Sequence, residues 1–288
     1  MTVRAFAAAL LLLAGPVGAQ PAHAPKPASE ATRAANAAVL KALPFADTQD
    51  FEDARRGLIE SPTSLVIPAD DGKRTAWEVE SFRRFITPGA PAPESVNPSL
   101  WRNAQLNMMT GLFQVTDTIF QVRNYDLSNI TFIKGKTGWI VFDPLISAEP
   151  ARAALALVNR RLGTRPVVAV VYSHSHIDHY GGVRGVVSDA DVAAGRVQII
   201  APQGFLEHAV SENVIAGNAM SRRAVFMYGS FLPVGPLGTV NAGLGQRTSN
   251  GTTGLIPPTH EVKRTGEELV VDGVKMVFQM TPGTEAPA

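Results

Sequence analysis

The feature that most constrains the fold is a continuous apolar run at Pro166–Tyr172, with the sequence PVVAVVY. An uninterrupted run of this kind is typical of a strand that is buried on both faces, as in a parallel sheet. Helical spacing of apolar residues at Ala148–Leu162 precedes it, and Gly163 follows that segment as expected at a helix C-terminus. A strand at Gly138–Asp143 comes before the helix. This strand–helix–strand order predicts an α/β fold.

Shorter elements surround this unit. Further strands are predicted at Leu112–Val115, Thr118–Arg123, Asn129–Lys134 and Val197–Ile200, and a hairpin at Glu268–Val271 and Val274–Met280. Helices are predicted in two pieces within 37–61, of which the second is Thr48–Glu60, and at Gln203–Ala216. Prolines argue against a long helix in 62–100, and 229–258 is predicted to be mostly loop. The three tryptophans are interpreted as packing residues.

The N-terminus has the pattern of a secretory signal peptide over residues 1–19. Arg4 precedes an apolar run that is too short to span a bilayer, and small residues near Ala19 suit a cleavage site. We therefore expect a periplasmic or secreted protein with no stable membrane insertion after cleavage; the alternative is a buried N-terminal helix. Residues 20–36 are rich in Ala and Pro and predict a flexible leader, which leaves 37–288 as the folded domain.

Charge and cysteine content narrow the possible partners and ligands. The chain has 26 Lys+Arg and 25 Asp+Glu, so loss of Arg4 with the signal peptide would leave a formal net charge of zero. A neutral chain gives no electrostatic reason to expect a nucleic acid or an anionic membrane as partner. There are no cysteines, which excludes a lipid anchor on Cys and leaves His, Asp and Glu to hold any metal.

Several residues that can bind metal follow the apolar strand directly, in the segment SHSHIDHYGG at 173–182. In extended backbone His174 and His176 face the same way, and Asp178 and His179 can reach a second point nearby. Two ligand pairs suit two metal ions held ~4 Å apart, as in binuclear hydrolases. Imidazole and carboxylate without thiolate favour zinc, with iron or manganese as alternatives. The two glycines that close the segment would let the backbone pass close to the site.

This segment resembles the signature of the metallo-β-lactamase superfamily, whose fold is an αββα sandwich. The resemblance implies that His174 and His176 hold one metal ion and that Asp178 and His179 hold the other. It also implies that 37–288 is a catalytic domain of this kind, incomplete at its C-terminal side. The implied cofactor is a pair of zinc ions in the complete protein.

A second resemblance concerns the C-terminal loop. Superfamily hydrolases commonly place a His ligand after a Thr-Pro-Gly turn at a strand end, whereas here Glu285 follows the turn at 281–283. A carboxylate in this loop resembles the alkylsulfatases, which cleave linear alkyl sulfates, and the resemblance implies that Glu285 is a metal ligand. Other stretches similar to that family are 208–224, 227–229, 241–246 and 281–288.

The resemblance also implies an activity and an assembly. A water activated by two zinc ions would hydrolyse linear alkyl sulfate esters to alcohol and inorganic sulfate, in a full-length protein that forms a homodimer. Alkylsulfatases continue with further metal ligands, a helical dimerisation domain and a sterol-carrier-like domain, so we expect this chain to be an N-terminal fragment that is inactive alone. Candidate donors to the sulfate oxygens are Arg222, Arg223, Arg247 and the backbone of 241–254. Attack of water at sulfur and at carbon both stay open.

Two other functions compete with this one. Another hydrolase of the same fold (a β-lactamase, lactonase or thioesterase) would fit the metal motif, although such enzymes usually keep His where Glu285 stands. A metal-binding segment without catalysis would also fit. His208 and His260 remain as further candidate ligands, but a packing or surface position explains each of them without a metal.

Overall fold

The computed structural model describes residues 25–286 and 288. Its strands are β1 (Leu58–Glu60), β2 (Val66–Pro68), β3 (Thr75–Glu78), β4 (Gly111–Gln114), β5 (Ile119–Arg123), β6 (Ile130–Lys134), β7 (Trp139–Phe142), β8 (Val167–Val171), β9 (Gln198–Pro202), β10 (His260–Val262), β11 (Glu267–Val271) and β12 (Val274–Phe278). Its helices are α1 (Glu30–Ala42), α2 (Gln49–Arg55), α3 (Glu80–Arg83), α4 (Pro98–Asn107), α5 (Ala148–Leu162), α6 (Asp189–Ala193), α7 (Phe205–Val210) and α8 (Gly217–Tyr228).

The centre of the fold is an eight-stranded sheet in the order β1-β4-β5-β6-β7-β8-β9-β10. Pairing is antiparallel from β1 to β7 and parallel from β7 to β10. β11 and β12 form a separate hairpin. The mixed sheet with its helices confirms the predicted α/β class.

β8 occupies the middle of the parallel part of this sheet, between β7 and β9. On one face Trp139, Val141 and Val170 pack with residues of α5 in the largest core cluster. On the other face Ala169 and Val171 pack against the β11–β12 hairpin. Burial on both faces, predicted from the apolar run, is therefore confirmed. Each buried aliphatic side chain stabilises the fold by about 1.5–3 kcal/mol, so the end of β8 is a firm support for the loop that follows.

The helix preceding β8 has the predicted bounds, and Gly163 lies at its C-terminus with φ 93°. The tryptophans are all buried, as the sequence predicts: Trp77 and Trp139 are inaccessible and Trp101 is 4% exposed. Trp139 also donates a hydrogen bond from Nε1 to Oδ1 of Asn159 in α5 (2.9 Å), which ties the helix to the sheet.

Two predictions for the N-terminal region are wrong in part. The segment interpreted as a flexible leader is helical from Glu30, because Ser29 caps the helix by accepting a hydrogen bond from the Thr32 N–H (3.1 Å). The helix predicted at Thr48–Glu60 ends at Arg55, and the chain then pairs with β4 as β1. Gly57 makes this possible: its φ is 75°, and a Cβ there would overlap the carbonyl oxygen of Gln114.

Two helices differ from the sequence prediction as well. α4 was missed because it begins at a proline; Pro98 occupies the first turn, where its lack of an N–H costs nothing, and Asn97 caps the helix. The helix predicted at Gln203–Ala216 is α7 followed by a π-helical turn at Ser211–Ile215, and α8 continues the chain to Tyr228. Residues 229–258 contain no helix or strand beyond an isolated bridge, as predicted.

The predicted signal peptide, 1–19, lies outside the described residues and stays a prediction. Within the described part of the chain, no helix combines the length and the apolar character needed to cross a bilayer.

Candidate metal centre

The candidate site lies in the loop 173–182, at the carboxyl end of β8. Such strand ends are stiff, and the loops that leave them commonly carry functional side chains. Gly181 and Gly182 pass so close to the loop before α5 that a Cβ on either would overlap the carbonyl oxygens of Ile146 and Pro144, respectively. The close approach at these two glycines is to the loop before α5, and their predicted role beside a metal site stays a prediction.

His174 and His176 form the first predicted ligand pair. Nε2 of His174 lies 3.1 Å from Nδ1 of His176. Two nitrogens bound to one tetrahedral zinc at 2.0–2.1 Å lie about 3.3 Å apart. The pair thus has nearly the separation that a single zinc ion requires.

Asp178 and His179 form the second pair, and Oδ2 of Asp178 lies 3.2 Å from Nε2 of His179. The rings of His174 and His179 have centroids 4.0 Å apart, so the two pairs adjoin. Three imidazoles and one carboxylate, all partly buried, therefore converge with two ligand-like spacings. This donor set fits zinc ions, and the assignment of these residues as ligands stays a prediction.

The nitrogen of each imidazole that points away from its pair has an oxygen partner. Nδ1 of His174 lies 2.9 Å from Oγ of Ser173. Nδ1 of His179 lies 2.9 Å from Oδ2 of Asp143. Nε2 of His176 lies 2.9 Å from Oε2 of Glu285. With the proton on this outer nitrogen, the inner nitrogen of each ring presents a lone pair to the centre, which is the arrangement that metal-binding histidines need.

Asp143 is a site residue that our sequence analysis did not identify. It follows β7, the strand beside β8, and has φ 55°, a left-handed conformation that Asp tolerates better than most residues. Besides contacting His179, its carboxylate accepts hydrogen bonds from the N–H (2.8 Å) and the Oγ (2.7 Å) of Ser173. The sequence did contain a signal for Asp143, because this acid ends a predicted strand that precedes the motif strand in the chain.

The charges around the second pair favour an ion pair between His179 and the neighbouring acids. Burial opposes a charge on His179, but the side-chain hydrogen bonds to Asp143 and Asp178 raise the pKa of His179 to about 10. Burial also opposes the charge on Asp178, yet the hydrogen bond to His179 leaves the pKa of Asp178 below its usual value. Burial and the neighbouring imidazoles lower the pKa of His174. The two acids beside His179 therefore favour a proton on this ring, and a metal ion that binds its Nε2 would have to displace that proton.

Glu285 lies beside the motif, although 109 residues separate it from His176 in the chain, and its assignment as a metal ligand stays a prediction. A second carboxylate, Glu212, lies on the π-helical turn with Oε1 3.8 Å from Nε2 of His176. The ligand atoms of His176, Glu212 and Glu285 all lie within 4.8 Å of one another. Sequence analysis did not single out Glu212, because nothing in the spacing of an acid on a predicted helix marks it as close to the motif.

The three arginines predicted to bind sulfate differ in position. Arg222 and Arg223 are exposed on α8. Burial raises the pKa of the Glu212 carboxyl, and the charge of Arg223 makes a smaller contribution in the opposite direction. Arg247 instead forms an ion pair with Glu78 (2.8 Å) and lies over the ring of Phe82 (5.7 Å). Arg247 is thus engaged in holding loop 241–254 against β3, and its role in substrate binding stays a prediction.

The two other candidate histidines stand apart from this cluster. His208 is exposed on α7, and His260 pairs through Nε2 with Oε1 of Glu267 (2.8 Å). Neither belongs to a group of potential metal ligands among the described residues.

The carboxylate of Asp126 links its own loop to two other loops by hydrogen bonds. It is 1% exposed. Its Oδ1 accepts hydrogen bonds from the N–H groups of Leu127 (2.8 Å) and Ser249 (3.0 Å). Its Oδ2 accepts from the N–H of Ile146 (3.1 Å) and the Oγ of Ser249 (2.6 Å). The Gly-rich run 241–254 is therefore pinned to the loop before α5, rather than lying free on the surface.

The fold and the two ligand pairs define the class to which the chain belongs. Residues 123–283, more than half of the chain, match the model of the metallo-beta-lactamase superfamily, and the chain is a member of that superfamily. Membership implies a metal centre, in agreement with the donor set at the end of β8.

Particular relatives narrow the comparison. The chain is 55% identical over 267 residues to a linear primary-alkylsulfatase from Pseudomonas sp., and 47% identical over 277 residues to an (R)-specific secondary-alkylsulfatase from Pseudomonas sp.. These alignments cover 93% and 96% of the chain. The structure of the stereoselective inverting sec-alkylsulfatase Pisa1 from Pseudomonas sp. matches 92% of the chain with a TM-score of 0.86 and 47% identity. The chain spans 39–41% of the length of these relatives.

Proposed function

We propose that the whole protein hydrolyses alkyl sulfate esters at a zinc-dependent binuclear centre built on the loop 173–182. The observation that carries the proposal is the convergence of two ligand pairs in a chain 55% identical to a linear primary-alkylsulfatase over 93% of its length. The activity is proposed for the whole protein, because the chain spans about two fifths of that relative.

The chain's own residues have distinct roles in this proposal. His174 and His176 bind the first zinc ion, Asp178 and His179 bind the second, and Glu285 adds a carboxylate to the first. Bound zinc would supply a Lewis acid and a water of lowered pKa. Ser173 and Asp143 hold the imidazoles in the tautomers that leave a lone pair for the metal.

An alkyl sulfate requires a cationic surface beside an apolar one. Val214 and Ile215 follow Glu212 closely and are 73% and 80% exposed, and Phe226 on α8 is 90% exposed. Arg222 and Arg223 lie on the same helix. We assign the arginines to the sulfate group and these apolar side chains to the alkyl chain.

The test is sulfate release from dodecyl sulfate by the purified full-length protein, beside assays with nitrocefin, a lactone and a thioester. We expect sulfate release that a chelator abolishes and zinc restores, with the other substrates left intact. His174→Ala should reduce the rate at least about 100-fold, because loss of a ligand costs more than loss of a group that only orients one. His208→Ala, a change at an exposed histidine outside the site, is the control and should keep full activity.

Two results would overturn the proposal. One is hydrolysis of nitrocefin, lactone or thioester without sulfate release, which would indicate another hydrolase of the same fold. The other is sulfate release that neither chelation nor His174→Ala reduces, since the reaction would then not depend on the metal centre.

We also propose export and dimerisation for the full-length protein. The pattern at residues 1–19 supports export. Mass spectrometry of the protein from the periplasm should find a mature chain that begins near Gln20; an intact Met1 in the cytoplasm would refute export. Dimerisation follows from the family resemblance alone, and sedimentation analysis of the full-length protein should give twice the monomer mass.

A further inference from the structure

His176 differs from the other two histidines of the motif in having two carboxylates near its outer nitrogen. Nδ1 of His176 faces Nε2 of His174, where the proposed zinc ion would bind. With zinc on Nδ1, Nε2 is the nitrogen that carries the proton and needs an acceptor. Oε2 of Glu285 lies 2.9 Å from this nitrogen and Oε1 of Glu212 lies 3.8 Å from it. The question is which of the two carboxylates accepts the hydrogen bond from Nε2–H of His176 when a metal is bound.

The two carboxylates have different surroundings. The Glu285 side chain is 73% exposed, on the loop after β12. The Glu212 side chain is 22% exposed and lies on the π-helical turn. That turn is fixed by its neighbour Asn213, whose Nδ2 donates to the hydroxyl of Tyr180 (3.0 Å). A hydrogen bond to the less exposed acid is the stronger one, because less water competes for it.

A metal ion would separate the roles of these acids. If Glu285 moves its oxygens from His176 to the metal, the N–H of Nε2 loses its acceptor, and a half-buried imidazole without one is costly. Oε1 of Glu212 then needs to approach by about 1 Å to reach hydrogen-bond distance, which a side-chain rotation can supply.

We infer that Glu212 is a positioning residue whose carboxylate accepts the Nε2–H of His176 and so keeps Nδ1 directed at the metal. Asp143 orients the ring of His179 in the same way, through its contact with Nδ1 of that residue at 2.9 Å. The inference deepens the proposed function, and it rests on that proposal only in taking His174 and His176 as ligands.

The first test compares zinc affinity of Glu212→Ala and Glu212→Gln with the wild-type protein, by competition with a chromophoric chelator. Loss of an orienting carboxylate typically weakens metal binding 10–100-fold, and we expect this for alanine. Glutamine should lie much closer to wild type, because its amide oxygen can accept the same hydrogen bond. Glu207→Ala, at an exposed acid of α7, is the matched control and should bind zinc as the wild type does. Wild-type affinity in Glu212→Ala would overturn the inference.

The second test needs no metal, so it separates this inference from the proposed function. Long-range ¹H–¹⁵N spectra of the metal-free protein report which nitrogen of His176 carries the proton. In Glu285→Ala we expect the proton to stay on Nε2, held by Glu212. Adding Glu212→Ala should produce a mixture of tautomers. An unchanged spectrum in the double variant refutes the role of Glu212, whereas a wild-type protein that binds no zinc refutes the metal centre instead.

Discussion

Replacing Asp126 with Asn should remove a pH dependence of stability that the wild-type protein has between about pH 4 and 6. Asp126 lies in the interior, and burial raises its pKa from 3.8 to about 6 in spite of the hydrogen bonds it accepts. A proton on this carboxyl is compatible with its surroundings. Oγ of Ser249 lies 2.6 Å from both Oδ2 of Asp126 and Oγ of Ser147, so it can accept the new proton and pass its own to Ser147.

The direction and the size of the change in unfolding free energy follow from the pKa of Asp126 in the unfolded chain and in the folded protein. Between pH 3.8 and about 6 the folded protein holds a proton on Asp126 that the unfolded chain has lost. Stability is therefore greatest below the lower value and falls as pH rises through the upper one. At 1.36 kcal/mol per pKa unit, the contribution lost by pH 7 is about 3 kcal/mol.

The assay is urea unfolding followed by circular dichroism at several pH values from 4 to 7.5. The free energy of unfolding of Asp126→Asn will be lower than that of the wild type, since an amide cannot accept all four hydrogen bonds. The gap between the two proteins should shrink by about 3 kcal/mol as pH rises. Asp117→Asn, at an exposed acid, controls for the chemical change. A gap that stays constant or widens with pH would refute the reasoning.

Three further predictions concern the site and its supports. Asp143→Asn should weaken zinc binding about 10–100-fold in a chelator competition, because the orienting contact to His179 is weakened; unchanged affinity would contradict this. Gly182→Ala should lower the free energy of unfolding by about 1–3 kcal/mol, since its Cβ would overlap the Pro144 carbonyl, and an unaltered melting temperature would argue against that close contact. Glu149→Ala removes the acceptor of three hydrogen bonds from two neighbouring loops and should cost about 2–4 kcal/mol in urea unfolding, a value that a surface residue would not reach.

The elements around the site were predictable because their signals are local. β8 and α5 were placed from an apolar run and from helical spacing, and the predicted bounds of α5 agree with the structure. Loop 173–182 follows β8 as a consequence of chain order alone. The two predicted ligand pairs could therefore be placed in this loop from chain order and the alternation of side chains after a strand, without knowledge of the rest of the fold.

Residues that depend on distant parts of the chain were harder to predict. Asp143 reaches His179 only because β7 and β8 are neighbours in the sheet, and Glu212 reaches His176 only through the turn between α7 and α8. Glu285 was found because a turn motif and a family resemblance marked it, not because its spacing from His176 did. A single sequence shows which side chains can bind metal, whereas their meeting in space depends on strand order and loop paths.

The errors in the N-terminal region have a similar origin. Gly57 ends the helical run because the chain must approach Gln114, and this contact is not visible in the sequence near residue 57. Pro98 was counted among the prolines that argue against a long helix in 62–100, and the helix that begins at it was not predicted. Proline is favourable in a first turn when a capping residue such as Asn97 precedes it. In both places tertiary contact or position within the element decided the outcome over simple propensity.

The left-handed backbone at Asp143 narrows what evolution can place there. A conformation with φ 55° costs most residues about 1–2 kcal/mol, and Asp, Asn and Gly are the usual exceptions. Of these three only Asp offers two oxygens that accept hydrogen bonds, as the contacts to Ser173 and His179 require. A mutation at this position is therefore penalised in folding and in metal binding together. Consider two libraries of variants at position 143, one selected for thermal stability without substrate and one selected for turnover. Both selections should retain Asp.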